Sequence, residues 1–469
     1  MTIWNFEDPT KRTTMNTKCN LIRICLLCAV LFHAADSGAQ TVTQIAAGFY
    51  HSLFLKSDGS LWAMGYNNDG QLGDGMVDGT FNSTNRPEQI VATNVTAIAA
   101  NSHSLFLKSD GSLWGMGYNG DGELGDGTIN NTNRPERIVI TNVTAIVASS
   151  GHSLFLKSDG SLWAMGFNGD GSLGDGTFTS TNQPEQIVAT NVTAIAAGDN
   201  HTLFLKRDGS LWAMGRNVEG QLGDGTVSST TNRPEQIIAT NVTAIAGGSW
   251  HTLFLMSDGS LWAMGDNDDG QLGDGTFNNT NRPEQIIASN VTAISAGQHH
   301  SLFLKDDGSL WAMGLNSSGE LGDGTNSRTN RPEQIVASGV AAIAAGLEHS
   351  LFLKNDGSLW AMGYNFFGQL GDGTTDHGLY TTNLPEQIVA GSIVPPSYKI
   401  SAQLLSGGGV QLSFVGIAGT NYALDRAFNL SPANWMPQVT NPAGAGGVLV
   451  LTNTPNPATN NFWRIRSVP

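Results

Sequence analysis

The fold is decided by the stretch HSLFLKSDGSLWAMG at residues 51–65, which recurs in near-identical form six more times along a chain of 469 residues. Its histidine and its tryptophan return with the same step of about 50 residues. The repeated histidines are His51, His103, His152, His201, His251, His300 and His349. The repeated tryptophans are Trp62, Trp114, Trp163, Trp212, Trp262, Trp311 and Trp360. A fixed period of this length indicates a repeat architecture rather than a set of unrelated domains.

Each repeat contains four short strand candidates, which are 95–100, 103–108, 112–117 and 88–91 in one copy. An Asp-Gly turn joins the second candidate to the third, which is a strong hairpin signal. Both faces of these strands carry apolar side chains, so each sheet must be covered on both sides. Four-stranded sheets stacked radially around an axis meet that need. The sequence therefore predicts an all-β protein with a seven-bladed β-propeller, followed by a small β-sandwich-like domain.

The lengths of the connections predict where one blade ends. Three residues, 92–94, separate Val91 from Val95, whereas a long segment separates Gly65 from Glu88. We therefore expect the strand 88–91 to pair with the repeat that follows it. The last copy, 386–389, would then lie beside 42–47 and close the ring by pairing the chain ends, which removes an exposed sheet edge.

The order of motifs within each repeat resembles a known family. The copy from Gly198-Asp199-Asn200-His201 to Gly223-Asp224-Gly225 shows this order well, and the likeness extends over residues 42–390. It resembles the regulator of chromosome condensation repeat, whose founding members are exchange factors for a small nuclear GTPase. Other members are secreted bacterial proteins, including a propeller-type inhibitor of β-lactamases. The resemblance implies a seven-bladed propeller, but no single non-repeated loop would serve as an exchange wedge, so nucleotide exchange is not expected.

The first 39 residues are predicted to be a signal peptide. An apolar run at 24–32 follows basic residues, and 37–39 fits a small-x-small cleavage site. Translation from Met1 and from Met15 both fit this pattern. The three cysteines all lie in this segment: Cys19, Cys25 and Cys28. We therefore expect a secreted, periplasmic or cell-surface protein whose mature chain contains no disulfide.

The remaining chain is predicted to contain a propeller at 40–390, a linker at 391–397 and a C-terminal β-domain at 398–469. The tail resembles terminal β-domains of many secreted bacterial proteins, which serve in surface attachment or secretion sorting; a passive cap is the alternative. No segment after the signal peptide reaches the roughly 20 apolar residues that cross a bilayer. The formal net charge of −16 also disfavours nucleic acid and anionic membranes as partners.

Neither a metal, a cofactor nor a catalytic site is expected. Seven equivalent histidines in a ring do not converge on one ion, so we expect them to hydrogen-bond between blades. The loops around Asn67–Gly70 and Asp74-Gly75 fit Asx turns better than calcium loops. A catalytic site consists of one unique set of residues, whereas the repeated His, Asp and Ser residues come in seven copies. The protein is therefore predicted not to be an enzyme.

The informative residues are those that differ between copies, because the repeats supply their own internal comparison. They precede the repeated histidine or follow the tryptophan strand, and alternating strand directions place both loops on one face. The candidate binding residues are Tyr50, Tyr66, Tyr118, Phe167, Arg216, Trp250, His299, Phe366 and Phe367. Aromatic residues suit protein contacts, which predicts a module that binds a protein or other macromolecule. The alternatives are an envelope- or glycan-directed enzyme or enzyme inhibitor, a structural surface protein, and neutral drift in exposed loops.

Overall fold

The computed structural model describes residues 40–391, except 77–82, 139, 228–229 and 376–381, together with six strands between 401 and 468. The predicted signal peptide and most of the predicted linker lie outside the described residues. Residues 39–392 form one compact unit. Within the described part of the chain, no helix is long and apolar enough to cross a membrane.

The propeller consists of seven four-stranded antiparallel sheets, which we number as blades 1–7 in chain order. Blades 1 and 2 contain β1 (Val42–Ala47), β2 (His51–Lys56), β3 (Leu61–Gly65), β4 (Thr84–Val91), β5 (Val95–Ala100), β6 (His103–Lys108), β7 (Leu113–Gly117) and β8 (Thr132–Ile138). Blades 3 and 4 contain β9 (Val143–Ala148), β10 (His152–Lys157), β11 (Leu162–Gly166), β12 (Thr181–Val188), β13 (Val192–Ala197), β14 (His201–Lys206), β15 (Leu211–Arg216) and β16 (Thr230–Ile238). Blades 5 to 7 contain β17 (Val242–Gly247), β18 (His251–Met256), β19 (Leu261–Gly265), β20 (Thr280–Ile287), β21 (Val291–Ala296), β22 (His300–Lys305), β23 (Leu310–Gly314), β24 (Thr329–Val336), β25 (Val340–Ala345), β26 (His349–Lys354), β27 (Leu359–Gly363) and β28 (Thr382–Val389). The predicted number of blades is confirmed.

The hydrophobic core lies between neighbouring blades, because each sheet is apolar on both faces. Leu53 and Leu61 of blade 1 pack against Phe106 and Met116 of blade 2 in one buried cluster. Equivalent clusters join the following blades. The repeated tryptophan is only partly buried, and it stacks on the fully buried phenylalanine of the same blade, as Trp62 does on Phe54.

The predicted pairing of the fourth strand is wrong. β4 pairs with β3 of its own blade, with Trp62 opposite Gln89, and β28 likewise pairs with β27 rather than with β1. The long segment before β4 is a loop that returns to its own sheet, so its length does not mark a crossing between blades. The three-residue link makes the crossing instead, because the Val95 amide bonds the Gly59 carbonyl (3.0 Å) in the turn of the preceding blade.

The ring closes by face-to-face packing of blades 7 and 1 rather than by strand exchange. Phe54 and Met64 of blade 1 join Leu351 and Leu353 of blade 7 in one buried cluster. This contact repeats the packing seen between the other neighbouring blades. Seven equal interfaces therefore close the circle without pairing the chain ends.

The seven repeated histidines form a continuous ring of hydrogen bonds between blades, as predicted. His51 Nε2 lies 2.8 Å from Ser104 Oγ, and this hydroxyl donates its hydrogen to the Gln71 carbonyl (2.7 Å). Because the hydroxyl has only one hydrogen, it accepts from the Nε2–H of the histidine. His349 bonds Ser52 Oγ at 2.9 Å and completes the ring. The other bonds are His103–Ser153, His152–Thr202, His201–Thr252, His251–Ser301 and His300–Ser350.

The axis of the propeller is narrow. The first strands of the seven blades neighbour one another around it, and their following loops are rich in glycine. A Cβ atom on Gly198 would collide with the Gly248 carbonyl oxygen, so side chains are excluded where these loops converge. The cavity left on the axis measures about 30 Å³, which is room for about two water molecules.

The described residues of the C-terminal region form six strands. β29 (Ser401–Leu404), β30 (Val410–Val415) and β33 (Val448–Asn453) form one sheet, and β31 (Asn421–Ala427), β32 (Met436–Pro442) and β34 (Phe462–Val468) form another. All six strands lie within the predicted C-terminal β-domain at 398–469.

Candidate binding face

The variable loops share one end of the propeller, which we call the loop face. The loops that follow the first and the third strand of each blade meet there, and the Tyr66 amide bonds the Tyr50 carbonyl at 2.8 Å. The opposite end, which we call the turn face, carries the Asp-Gly hairpins and the short links between blades. The predicted separation of variable and uniform loops between the two ends is confirmed.

A constant framework holds the loop after each third strand. Asn67 Oδ1 accepts from the Leu72 amide (3.0 Å), and its Nδ2 donates to Asp74 Oδ1 (3.0 Å). Asp74 Oδ1 also accepts from the Met76 amide (2.9 Å). The bond between this asparagine and this aspartate recurs in the other six blades. The bond from the Met76 amide to Asp74 Oδ1 is the predicted Asx turn, whereas Asn67 accepts from a residue five positions along the chain rather than two. The framework fixes the backbone while the side chains presented on it differ from blade to blade.

Aromatic rings from blades 7 and 1 form a cluster on the loop face. The centroid of Tyr50 lies 5.2 Å from Phe367 and 5.8 Å from Tyr364. Tyr66 contacts Phe367 at 4.8 Å, and Phe366 contacts Phe367 at 4.9 Å. The tilted and edge-on angles are those that aromatic pairs prefer. Ring closure therefore brings together predicted binding residues from the two ends of the repeat array.

A cavity of about 560 Å³ extends from this cluster over blades 1 to 3, and we call it the aromatic groove. Tyr118 and Phe167 continue its aromatic wall. Gly120 and Gly169 leave room for these two rings, because a Cβ atom on either glycine would collide with the ring beside it. The groove is lined by Phe49, Tyr50, Tyr66, Asp69, Gln71, Ser102, Tyr118, Asp121, Ser150, Gly151, Phe167, Asp170, Asn200 and Phe367.

A separate polar cluster lies on blades 5 and 6. The His299 ring packs edge-on against Trp250 at 5.3 Å, and its Nδ1 lies 3.5 Å from Asp266 Oδ2 and 3.7 Å from Asp269 Oδ2. Arg328 Nη1 bonds Asp269 Oδ1 at 3.0 Å. Within this cluster the acidic side chains therefore already have cationic partners.

The charges of the polar cluster perturb one another. Burial lowers the pKa of His299, but the nearby carboxylates of Asp266, Asp269 and Asp199 outweigh burial and raise this pKa above its usual value. Burial raises the pKa of Asp266, but His299 and the Asp268 amide outweigh it and lower this pKa. The pair is thus held in its charged form. Sequence reasoning missed this cluster, although Asp266 is the only acidic residue among the seven that directly follow the Trp-x-Met-Gly strand.

The predicted binding residues fall into two groups on the loop face. Tyr50, Tyr66, Phe366 and Phe367 belong to the aromatic cluster, and Tyr118 and Phe167 line the groove. Trp250 and His299 belong to the polar cluster. Arg216, at the end of β15, is half-buried and belongs to neither group. Tyr364 joins the aromatic cluster although it was not among the predicted residues.

Exposed apolar side chains concentrate on the same end of the molecule. In the described part of the chain, all the large apolar residues with the highest exposure lie in the loops after the third strands or at the start of β28 beside them. They are Met76, Ile129, Phe178, Val218, Val227, Phe277, Phe366 and Leu384. The turn face presents none of these.

Comparisons with known proteins agree with this architecture. Among related proteins, the probable E3 ubiquitin-protein ligase HERC3 of Homo sapiens is 34% identical over 87 residues, which are 18% of this chain and 8% of HERC3. The ultraviolet-B receptor UVR8 of Arabidopsis thaliana is 29% identical over 94 residues, which are 19% of this chain and 20% of UVR8. The matched segment is thus a small part of each of these relatives.

Solved structures match a larger share of the chain. Prp20p of Saccharomyces cerevisiae superposes with a TM-score of 0.62 at 22% identity, over 77% of this chain and 90% of Prp20p. Human WBSCR16 superposes with a TM-score of 0.61 at 24% identity, over 67% of this chain and 87% of that structure. These similarities establish the fold alone.

Family models cover the propeller from its first blade. The regulator of chromosome condensation (RCC1) repeat matches residues 42–71, and the RCC1-like domain matches residues 79–415. The second match spans more than half of the chain. The protein therefore belongs to the RCC1-like domain family.

Proposed function

We propose that this protein is a non-catalytic binding module that recognises another protein or macromolecule through its loop face. We further propose that it acts outside the cytosol, as a secreted, periplasmic or cell-surface protein. The proposal for its location rests on the signal-like sequence of residues 1–39.

The placement of exposed apolar side chains carries the proposal. Ile129, Phe178, Val227 and Phe277 occupy the same loop position in four consecutive blades, and each is exposed. Contiguous apolar patches are unfavourable in water and often mark interaction sites. Ile129 and Phe178 belong to the same loops as Tyr118 and Phe167, which line the aromatic groove. A partner that covers this face would bury both the exposed side chains and the groove.

The narrow axis also favours a surface site. The cavity on the axis measures about 30 Å³, which is room for about two water molecules and favours binding on the loops over binding on the axis. Prp20p, which shares the fold, is described as binding Gsp1p and histones. That precedent supports macromolecular recognition by propellers of this kind, without naming a partner for this chain.

One observation favours a second candidate function, an envelope- or glycan-directed enzyme. His299 and Asp266 form a charged pair beside Trp250, and such pairs serve in acid–base catalysis. A hydrolytic activity that disappears in the His299→Ala variant would favour this candidate over the binding module.

The main test is partner capture with a matched control. The full mature protein is immobilised and exposed to envelope and secreted fractions of the source organism. The Trp250→Ala/Phe367→Ala variant should retain its fold by circular dichroism but lose the captured partner, because buried aromatics often dominate interface energy. The control variant Arg207→Ala/Asn355→Ala changes exposed residues on the turn face and should retain it. Equal capture by both variants would place the site elsewhere.

A further inference from the structure

We propose that the aromatic groove binds an extended, arginine-rich segment of the partner, an inference that rests on the proposed function of the loop face. The groove combines aromatic rings with carboxylates in a repeated arrangement. No lysine, arginine or histidine is among the residues that line it. A cationic ligand would supply the missing charge.

The arrangement repeats in three consecutive blades. Tyr66 is followed three residues later by Asp69, and Tyr118 and Phe167 are followed in the same way by Asp121 and Asp170. All six side chains line the one cavity. A segment lying across these blades would therefore meet an alternation of ring and carboxylate.

One groove carboxylate also acts on a ring of the neighbouring blade. Burial raises the pKa of the Tyr118 hydroxyl, and the charges of Glu123, Asp121 and Asp69 raise it further. The negative charges of Asp121, in the same blade, and of Asp69, in blade 1, thus both act on Tyr118. A guanidinium stacked on this ring would have carboxylates on two sides.

Charge complementarity identifies the class of ligand. The described side chains form no ion pair with Asp69, Asp121 or Asp170, whereas Asp269 on the opposite side of the face is paired with Arg328. Burial raises the pKa of Asp69, so ionising this carboxyl costs more free energy in the free protein than it does in water. A bound cation relieves that cost.

Arginine fits the groove better than lysine does. Its planar guanidinium stacks on aromatic faces and bonds carboxylates through two parallel N–H groups. The rings supply the stacking surface, and the aspartates supply the acceptors. The side-chain Nδ2 of Asn131 donates a hydrogen bond to Asp69 Oδ1 (3.0 Å) and so orients that carboxylate.

The test is a binding titration with a short fluorescein-labelled peptide that alternates arginine and glycine. A second peptide carries citrulline in place of arginine, which keeps the shape and removes the charge. Fluorescence anisotropy with the full mature protein should detect the arginine peptide, and the citrulline peptide should bind at least about tenfold more weakly.

Two variants with the same change in net charge separate site binding from general attraction to an acidic protein. Asp69→Asn/Asp121→Asn/Asp170→Asn removes the groove carboxylates and should weaken binding of the arginine peptide by about tenfold or more. Glu88→Gln/Glu185→Gln/Glu284→Gln changes exposed residues on the fourth strands and should leave the affinity nearly unchanged. Equal weakening by both variants would overturn the proposal.

Failure of this inference can be told apart from failure of the proposed function. If the arginine peptide does not bind but the Trp250→Ala/Phe367→Ala variant still loses its partner, the loop face is the interface and its ligand is not cationic. If the protein instead binds neutral oligosaccharides, and the triple aspartate change does not affect that binding, the proposal of a cationic ligand is likewise overturned. If the arginine peptide binds as expected but face variants capture the partner normally, the proposed function fails by itself.

Discussion

Two glutamates stand out at the residue scale, because four of the other five blades carry glutamine at the same position and blade 3 carries Ser172. Glu123 and Glu320 are fully buried, and burial raises the pKa of each carboxyl to about 7. One oxygen of Glu123 accepts from the Asp121 amide (3.0 Å), whereas the other has no described partner. Gln71, Gln221, Gln271 and Gln369 occupy the equivalent site without a charge.

We expect Glu123→Gln to stabilise the protein at alkaline pH. The pKa of Glu123 in the folded protein, about 7, is higher than its value of about 4.3 in the unfolded chain. The stability that the protonated carboxyl contributes to the fold is therefore fully present below about pH 4.3 and is lost as the pH rises through about 7. The variant should therefore melt at a higher temperature than the native protein at pH 8, with a much smaller difference at pH 4. A difference in melting temperature that is independent of pH would contradict the ionisation argument.

At the scale of elements, the sequence predicts the hairpins and the period well, because these depend on local signals. The Asp-Gly turns and the alternating strands appear where the pattern places them. The partner of the fourth strand could not be predicted, because the length of a connection does not say whether it returns to its own sheet.

The link between blades contains an asparagine whose backbone is left-handed. Asn191 has φ of 70°, and the equivalent residue in blade 7 is Gly339 with φ of 82°. This requirement explains why asparagine recurs directly before the first strand of the repeats. Only glycine and asparagine adopt this conformation routinely.

We expect Asn191→Ala to destabilise the propeller by about 1–2 kcal/mol, because a Cβ atom disfavours the left-handed region. Asn191→Gly is the matched control and should cost less, since glycine already occupies the site in blade 7. Denaturant unfolding measures both differences. Equal destabilisation by the two changes would indicate that the asparagine side chain, rather than its backbone, matters.

At the scale of the whole molecule, the ring of buried histidines couples stability to pH. Burial lowers the pKa of His51, His103, His152, His251, His300 and His349 to about 3, and that of His201 to about 4. The unfolded chain binds protons at these residues near pH 6.5. Stability is therefore fully present above that value and is lost as the pH falls toward 3.

We expect the free energy of unfolding to fall steeply between about pH 6.5 and pH 4, with uptake of several protons on unfolding. Denaturant titrations at a series of pH values give the slope, which is about 1.4 kcal/mol per pH unit for each proton taken up. The two buried glutamates oppose this trend, because their contribution to stability increases as the pH falls, but they are fewer than the seven histidines. Stability that stays constant over this interval would contradict a ring of neutral histidines.

The candidate site was predictable only in part. Comparison of the repeats identifies which residues vary, and alternating strands place them on one face. The division into an aromatic groove and a polar cluster was not predictable, because it depends on contacts between blades, such as Tyr50 with Phe367 and His299 with Asp266. The contact of Tyr50 with Phe367 requires the ring to be closed, and the contact of His299 with Asp266 requires blades 5 and 6 to pack side by side.

The central claim is that the loop face is the binding surface, and a footprint of the bound complex tests it most directly. Hydroxyl-radical labelling followed by mass spectrometry would compare the free protein with the protein bound to its captured partner. We predict protection of Tyr50, Tyr66, Trp250 and Phe367, with unchanged labelling of the Asp-Gly turns on the opposite end. Protection confined to the turn face or to residues 401–468 would contradict the account.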